Sequence, residues 1–308
     1  MYVFGQGGTL IATSADGEKF SYNKVMSPPG WGTVAPLALA DGRLRLYAFD
    51  QRTPIGNTVR SFISTDGLNW TAESGDRLKA NADEQITDPF VIPWRGGYKM
   101  YFKHSPARTR NVTSSVPQGA RTAGGPPVLQ SPNNFAPQPP PQNFNNANGP
   151  WNNDVLAYRV SASGAVEKVA TFERAGVPTV ARMKDGRLIA AHQHFPENDR
   201  ENFDKVAARF SSDDGKTWGA PQVLQIAGLP EGMRFPFDPT LVPLPDGRVR
   251  LYFTGNMGRS FGRSTPKIHL RLEWSPEQPG LAAVVDRGHG QLGHRPVRVP
   301  AASAGQPH

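Results

Sequence analysis

The chain of 308 residues has no cysteine and a formal charge of +8 at pH 7, because 34 Lys and Arg outnumber 26 Asp and Glu. The absence of cysteine excludes disulfides, thiolate nucleophiles and thiolate metal sites, and no apolar run is long enough to span a bilayer. The positive charge favours anionic partners, but the basic residues are scattered along predicted strands, which argues against nucleic acid. With 30 Pro and 32 Gly, we expect many short strands joined by turns, in one domain.

The first residues do not resemble a secretory signal, since residues 1–5 have neither a basic region nor an apolar core. We expect a cytoplasmic protein if the sequence is taken as it stands, and a secreted or periplasmic one if residues before Met1 are missing. Localisation stays open between these two alternatives.

A short phrase containing Asp and Gly recurs three times, at residues 14–20, 64–70 and 211–218. In each copy the Asp carboxylate can accept hydrogen bonds from backbone N–H groups of a tight turn, Gly supplies a positive φ, and an aromatic residue closes over the hairpin. Repetition on this scale is typical of one small sheet built several times. Weaker copies without the Asp occur at residues 161–164 and 274–276.

A second phrase consists of two strands around another turn, most often Asp-Gly. Its first strand carries a proline, at Ala35-Pro36, Asp88-Pro89, Val177-Pro178 and Asp238-Pro239. Two strand pairs joined by a loop predict a four-stranded β-propeller blade. Arg295-Pro296 stands in register as a fifth copy, and residues 1–4 match the end of a second strand. We therefore predict an all-β, five-bladed propeller of four-stranded antiparallel blades, in which both termini complete one blade and close the ring.

Residues 105–153 are rich in Pro, Asn, Gln and Gly and poor in aliphatic residues. Such a segment cannot bury enough apolar surface to order itself. We predict a disordered insertion within the third blade, which divides the propeller into residues 1–104 and residues 154–300. Residues 301–308 are expected to form a disordered tail.

Residues 211–218, with the pattern Ser-x-Asp-x-Gly-x-Thr-Trp, resemble the Asp-box of sialidases and related propellers. In that family the motif is structural, so we assign it no catalytic role; a six-bladed sialidase-type ring is the alternative fold. The Asp-Pro strands are similar to the inner strands of five-bladed glycoside hydrolases such as arabinofuranosidases and xylosidases. This resemblance implies hydrolysis of a glycosidic bond, although the three arginines and the Tyr–Glu pair of a sialidase are not matched.

In those glycoside hydrolases the residues just before such prolines face the central funnel, which implies funnel positions for Ala35, Asp88, Val177, Asp238 and Arg295. Glycoside hydrolysis needs one carboxyl group to donate a proton and another to activate water or attack the anomeric carbon. We expect Asp88 and Asp238 to be catalytic, with Arg234 or Arg295 orienting a polyhydroxyl or anionic substrate. The alternative is that Asp-Pro only begins a strand or a turn.

Further candidates lie where the second strands are predicted to end, at the same funnel mouth. His192 and His194 alternate along one strand, so both imidazoles should face one side, as a proton shuttle or a metal pair. Without a third ligand we expect hydrogen-bonded histidines and no metal. Glu197 on the following loop is a candidate general acid. The other predicted substrate contacts are Arg52, His104 and Trp31, the last of which is as readily a core residue.

We therefore expect a carbohydrate-active hydrolase, sialidase-like or a related glycosidase, that acts on a glycan or glycoside as a monomer and without a cofactor. The alternative is a propeller that binds glycan or protein through a degenerate active site. The two differ in the funnel, because an enzyme needs two carboxyl groups within about 5 to 10 Å of each other.

Overall fold

The computed structural model describes residues 1–5, 8–17, 19–26, 31–50, 56–106, 152–197, 199, 201–227, 233–257, 268–274 and 282–284. The regular elements in these ranges are strands. Within them, no helix has the length and apolarity needed to cross a membrane.

The strands are short and follow one another around tight turns. Their bounds are β1 (Tyr2–Gly5), β2 (Gly8–Thr13), β3 (Ser21–Val25), β4 (Trp31–Ala38), β5 (Leu44–Asp50), β6 (Thr58–Ser64), β7 (Thr71–Ala72), β8 (Leu78–Lys79), β9 (Gln85–Trp94), β10 (Gly97–Ser105), β11 (Asp154–Val160), β12 (Val166–Phe172), β13 (Ala175–Arg182), β14 (Leu188–His194), β15 (Lys205–Ser211), β16 (Gln222–Val223), β17 (Gln225–Ala227), β18 (Met233–Pro243), β19 (Val249–Met257), β20 (Ile268–Trp274) and β21 (Ala282–Val284).

Consecutive strands build consecutive antiparallel sheets. Their orders are β1-β2-β3, then β4-β5-β6-β7 with β8 also on β6, then β9-β10-β11-β12, β13-β14-β15-β16 and β18-β19-β20, while β17 and β21 pair in parallel. The sheets β9–β12 and β13–β16 have the predicted four-stranded antiparallel order. Strand β10 pairs directly with β11, so most of the predicted insertion, residues 107–151, lies between two paired strands and outside the described residues.

The three Asp-Gly phrases form the turns after β2, β6 and β15, as predicted. The Asp66 carboxylate accepts hydrogen bonds from the backbone N–H groups of Leu68 and Asn69, each at 2.8 Å. The Asp213 carboxylate accepts equivalent bonds from Lys216 and Thr217. Gly17, Gly67 and Gly215 adopt φ values of 72°, 71° and 79°, a backbone conformation that costs glycine little. Backbone N–H donors hold the pKa of Asp66 well below its usual range. The Thr217 hydroxyl, followed by backbone N–H donors, does the same for Asp213.

Each sheet packs face to face against the next one in sequence through an apolar cluster. The residue pairs that share a cluster across successive interfaces are Ile11 and Leu46, Ala35 and Val91, Ile92 and Val180, and Ala181 and Leu241. The core is therefore a series of intersheet layers rather than one central mass.

Tyrosines of one sheet also bond to the glycine turns of the next. The Tyr2 hydroxyl donates to the Gly67 carbonyl oxygen at 2.8 Å. The Tyr252 hydroxyl on β19 donates to the Gly17 carbonyl oxygen at 2.6 Å, which joins the β18–β20 sheet to the β1–β3 sheet. The succession of packed sheets thus returns to its start. The strand predicted to complete the first blade, around Arg295, lies outside the described residues.

Candidate functional site

Three of the predicted funnel residues have left-handed backbone. Asp88, Val177 and Asp238 adopt φ values of 52°, 46° and 51°. At each, the residue and its following proline lie opposite a single residue of the next strand, because the register shifts there. This is a β-bulge, which redirects a side chain. Positive φ is uncommon outside glycine, and such strain clusters at functional sites.

The first full sheet places its bulge elsewhere. Gly32 and Thr33 lie opposite Phe49 there, whereas Ala35 pairs regularly with Tyr47 and is only 1% exposed. The prediction that Ala35 occupies the position of Asp88 is wrong, because the β4–β5 hairpin has one more residue pair beyond the bulge than β13–β14. Gly32 is required at this bulge, since a Cβ there would lie 2.0 Å from the Phe49 ring.

Asp88 is held as a carboxylate by neighbours from two sheets. Its Oδ2 lies 2.6 Å from the Lys103 ammonium, and its oxygens accept hydrogen bonds from the hydroxyls of Thr33 at 2.8 Å and Thr87 at 3.2 Å. The side chain is only 12% exposed. Burial acts to raise the pKa of Asp88, but the charge of Lys103 and these hydrogen bonds outweigh it and hold the pKa below its usual value.

The surroundings of Asp204 shift its pKa in the opposite direction from that of Asp88. It precedes β15 at the same end of the sheets, with a φ of 64°, and its Oδ1 accepts a hydrogen bond from Gln193 Nε2 at 3.0 Å. Burial, together with the nearby charge of Asp238, raises the pKa of Asp204 to about 6. Asp238 itself is exposed. The charge of Asp238, on another sheet, therefore favours the protonated form of Asp204.

The two histidines differ in burial. The ring centroids of His192 and His194 are 6.0 Å apart, but the side chain of His192 is fully buried, so its predicted place at an open mouth is wrong. Its Nδ1 faces the Gln193 carbonyl oxygen at 2.9 Å, and its Nε2 accepts a hydrogen bond from Arg209 Nε at 3.3 Å. Burial lowers the pKa of His192 to about 3, which keeps the ring neutral as the Nδ1–H tautomer.

Trp31 is also a core residue and not part of an open surface. It is 5% exposed and packs edge-to-face on Phe62, with ring centroids 4.7 Å apart. Its predicted stacking on a sugar is therefore wrong, and the alternative expectation, a core tryptophan, holds.

The remaining predicted site residues are scattered or undescribed. His104 Nε2 lies 3.7 Å from Glu84, and Glu197, 61% exposed, lies 3.8 Å from Arg174. Arg52 and Arg295 lie outside the described residues, and of Arg234 only the backbone, in β18, is described. Among the described residues, no three His, Asp or Glu side chains are grouped as a metal site.

Sequence reasoning missed Asp204. The residue stands in no motif, and its importance comes from burial and from Asp238, which is on another sheet. The available signal was positional, because Asp204 directly precedes a third strand and therefore lies at the end of the sheet where β13 begins.

The sequence matches no protein-family profile and no curated protein. The fold, in contrast, is shared with solved structures. An endo-arabinase from Bacteroides thetaiotaomicron is 14% identical, with a TM-score of 0.54 over 85% of this chain and 81% of that one. An endo-1,4-beta-xylanase from the same organism is 9% identical, with a TM-score of 0.55 over 91% and 86%. A GH43 endo-arabinanase from Bacillus licheniformis is 12% identical, with a TM-score of 0.51 over 86% and 83%. At these identities the likeness shows the fold alone: an all-β chain with antiparallel four-stranded sheets of the β-propeller kind.

Proposed function

We propose that the protein is a glycoside hydrolase built on a five-bladed β-propeller, and that its active site lies at the bulge end, defined as the end of the sheets where β9, β13 and β18 begin. Two kinds of observation support this. The similar structures include an arabinase, an arabinanase and a xylanase, and Asp88, Asp204 and Asp238 all have left-handed backbone at the bulge end. Arabinan and xylan are accordingly the first substrate classes to test, followed by sialosides because of the Asp-box resemblance.

The observation that carries the proposal is that the surroundings of Asp88 and Asp204 shift their pKa values in opposite directions. A glycosidase needs one carboxyl group that stays ionised and another that keeps a proton. Asp88, paired with Lys103, supplies the first. Asp204, whose pKa is raised to about 6 beside Asp238, supplies the second.

In this assignment Asp204 protonates the glycosidic oxygen as the bond to the leaving sugar breaks. Asp88 activates water or attacks the anomeric carbon. Lys103 and Thr33 are positioning residues, since they act through Asp88. Glu197, His104, His194, Arg52, Arg234 and Arg295 remain proposed substrate contacts, with Glu197 a second candidate acid.

The test is hydrolysis of a panel of nitrophenyl arabinofuranosides and xylosides, arabinan, xylan and fluorogenic sialosides. Asp88→Asn and Asp204→Asn should each lower kcat/KM by about 10²- to 10⁴-fold without loss of folding. Asn tolerates the left-handed backbone at both positions. The matched control is Asp185→Asn, an exposed turn aspartate paired with Arg187 at the far end of the sheet, which should leave kcat/KM unchanged.

Full activity in Asp88→Asn would contradict the assignment of the base or nucleophile. If the wild-type protein binds these glycans but cleaves none of them, the propeller is a binding protein and the hydrolase proposal fails.

A further inference from the structure

A second concave site lies at the hairpin end of the sheets, defined as the end where β4, β9 and β13 turn back into their partners. A cavity of about 600 Å³ is lined there by residues 37–40, residues 93–97, Arg182 and Asp214. A smaller cavity of about 90 Å³ shares Trp94, Arg95 and Asp214 with it. The larger volume is within the range of about 300 to 1,000 Å³ that is usual for small-molecule sites.

The lining is apolar on one side and strongly basic on the other. The two cavities are lined by five cationic side chains and one carboxylate, Asp214; the cations are Arg95, Lys99, Arg159, Arg182 and Lys216. Leu37, Leu39 and Pro93 contribute the apolar wall. The larger cavity has Arg95 and Arg182 against Asp214 in its lining, and a net positive charge between low-dielectric walls concentrates anions.

Asp214 offsets the charge of Arg182 and Lys99 but makes no ion pair with Arg95. It accepts hydrogen bonds from Trp94 Nε1 and from Arg182 Nη2, each at 2.6 Å, and lies 3.2 Å from the Lys99 ammonium. Burial acts to raise the pKa of Asp214, but the hydrogen bonds from Arg182, Lys99 and Trp94 lower it to about 2. The group is therefore ionised, and its described side-chain partners are Trp94, Arg182 and Lys99.

Arg95 is presented to the cavity at the cost of backbone strain. It is the first residue of the two-residue turn between Trp94 and Gly97, with φ values of 41° at Arg95 and 79° at Gly96. Such a turn normally selects Asn or Gly at its first position, so an arginine here is strained without benefit to the turn. Its guanidinium lies 5.4 Å from the Trp94 ring centroid, and among the described residues no carboxylate pairs with it.

We propose that this cavity binds the carboxylate of an acidic saccharide, with Arg95 as its cationic partner and the wall of Pro93 and Trp94 beside the sugar ring. The proposal rests on the proposed function, because a hydrolase acting on a polymer that carries uronic acids gains avidity from a second attachment away from the scissile bond. A planar guanidinium fork matches a carboxylate, and an aromatic wall suits the apolar face of a sugar.

Isothermal titration calorimetry tests the site with three probes: a trisaccharide of galacturonic acid, the neutral galactose trisaccharide and inorganic sulfate. The wild type should bind the acidic trisaccharide at least tenfold more tightly than either other probe. Arg95→Asn should lower that affinity about tenfold or more without unfolding the protein, since Asn suits the turn. Arg95→Lys should restore part of it. The control is Arg187→Gln, an exposed arginine at the same end that is already paired with Asp185.

If Arg95→Asn and Arg187→Gln lose equal affinity for the acidic trisaccharide, the binding depends only on long-range charge and the proposed site is wrong. Sulfate binding as tight as the acidic trisaccharide would overturn the saccharide assignment. The titrations are repeated with Asp88→Asn, in which we expect no hydrolysis, so that binding is measured without turnover. If Asp88→Asn binds the acidic trisaccharide and this binding depends on Arg95, the cavity proposal is supported whether or not the wild type hydrolyses glycans. If an active enzyme shows no such binding, the cavity proposal fails and the hydrolase proposal stands.

Discussion

The aspartates of the Asp-Gly turns and those of the bulge end are the same residue type in two different environments. Asp66 is exposed and Asp213 is half-buried; both are ionised, and both accept hydrogen bonds from donors two to four residues away in their own turns. Asp88 depends on Lys103 from the next strand and Thr33 from another sheet. Asp204 is instead pushed toward protonation by burial and by Asp238.

The turn aspartates use their charge to stabilise local structure, whereas the charge of the bulge-end aspartates is available for chemistry. A turn aspartate satisfies donors that the turn itself creates, so its protonation state follows from local geometry. A bulge aspartate is held on strained backbone by distant groups, and that strain stabilises nothing locally. Four variants test this contrast, from the largest expected effect to the smallest.

Replacing Lys103 by Met should have the largest effect. The Asp88 carboxylate would lose its counter-ion at a site that is 12% exposed, so its pKa should rise and the acid limb of kcat/KM should move to higher pH. The free energy of unfolding should fall by about 3 kcal/mol, because one partner of a largely buried ion pair is removed. A pH profile of kcat/KM and urea unfolding measure both. Arg43→Met, which breaks the exposed Arg43–Asp41 pair of a turn, should change neither; an unmoved acid limb in Lys103→Met would argue against Asp88 as the ionised group.

His192→Gln should remove part of the acid sensitivity of folding. In the folded state the pKa of His192 is lowered to about 3, against about 6.5 in the unfolded chain. The unfolded state therefore binds the proton first, and stability is lost as pH falls from about 6.5 toward 3, by about 3 kcal/mol at pH 4. Urea unfolding at pH 8 and pH 4 should show a smaller difference for the variant than for the wild type. Equal differences would mean that the imidazole is not kept neutral by burial.

Asp204→Asn should stabilise the protein at neutral pH although it impairs activity. The folded pKa of Asp204 is raised to about 6, so the folded state binds more protons than the unfolded state between about pH 4 and pH 6. Stability contributed by this group is lost as pH rises through that window, and about 2 to 3 kcal/mol should be regained by the variant at pH 7. Asn can still accept the hydrogen bond from Gln193. Urea unfolding at pH 4 and pH 7 measures the effect, and no gain at pH 7 would contradict the raised pKa.

Asp213→Ala should have the smallest effect. It removes the acceptor for the N–H groups of Lys216 and Thr217 in an exposed turn, where water can replace it. The Tm should fall modestly in a thermal scan, with kcat/KM unchanged. Asp213→Asn, which keeps an acceptor oxygen, should recover much of the loss. A drop in activity with an unchanged Tm would show that the turn aspartates are not purely structural.

The accuracy of the sequence-based predictions follows the range of the interactions involved. The turn phrases, the four-stranded antiparallel units and the positions of Asp88 and Asp238 within the first strands of their hairpins follow from patterns a few residues long. The position of Ala35 relative to the bulge does not follow from such a pattern, because the register of β4 depends on one additional residue pair in its hairpin. His192 was predicted at the funnel mouth because it ends a second strand, and Trp31 was predicted as either a sugar contact or a core residue, yet both are buried. Asp204 has no motif at all.

The sequence by itself determined the repeated sheet, since an Asp acceptor, a Gly with positive φ and alternating apolar residues act on their immediate neighbours. Only the tertiary structure decided which aspartates are ionised, which histidine is neutral and where a basic cavity opens. Burial and Coulomb interactions depend on groups brought from other sheets, and no local pattern in the chain encodes those distances.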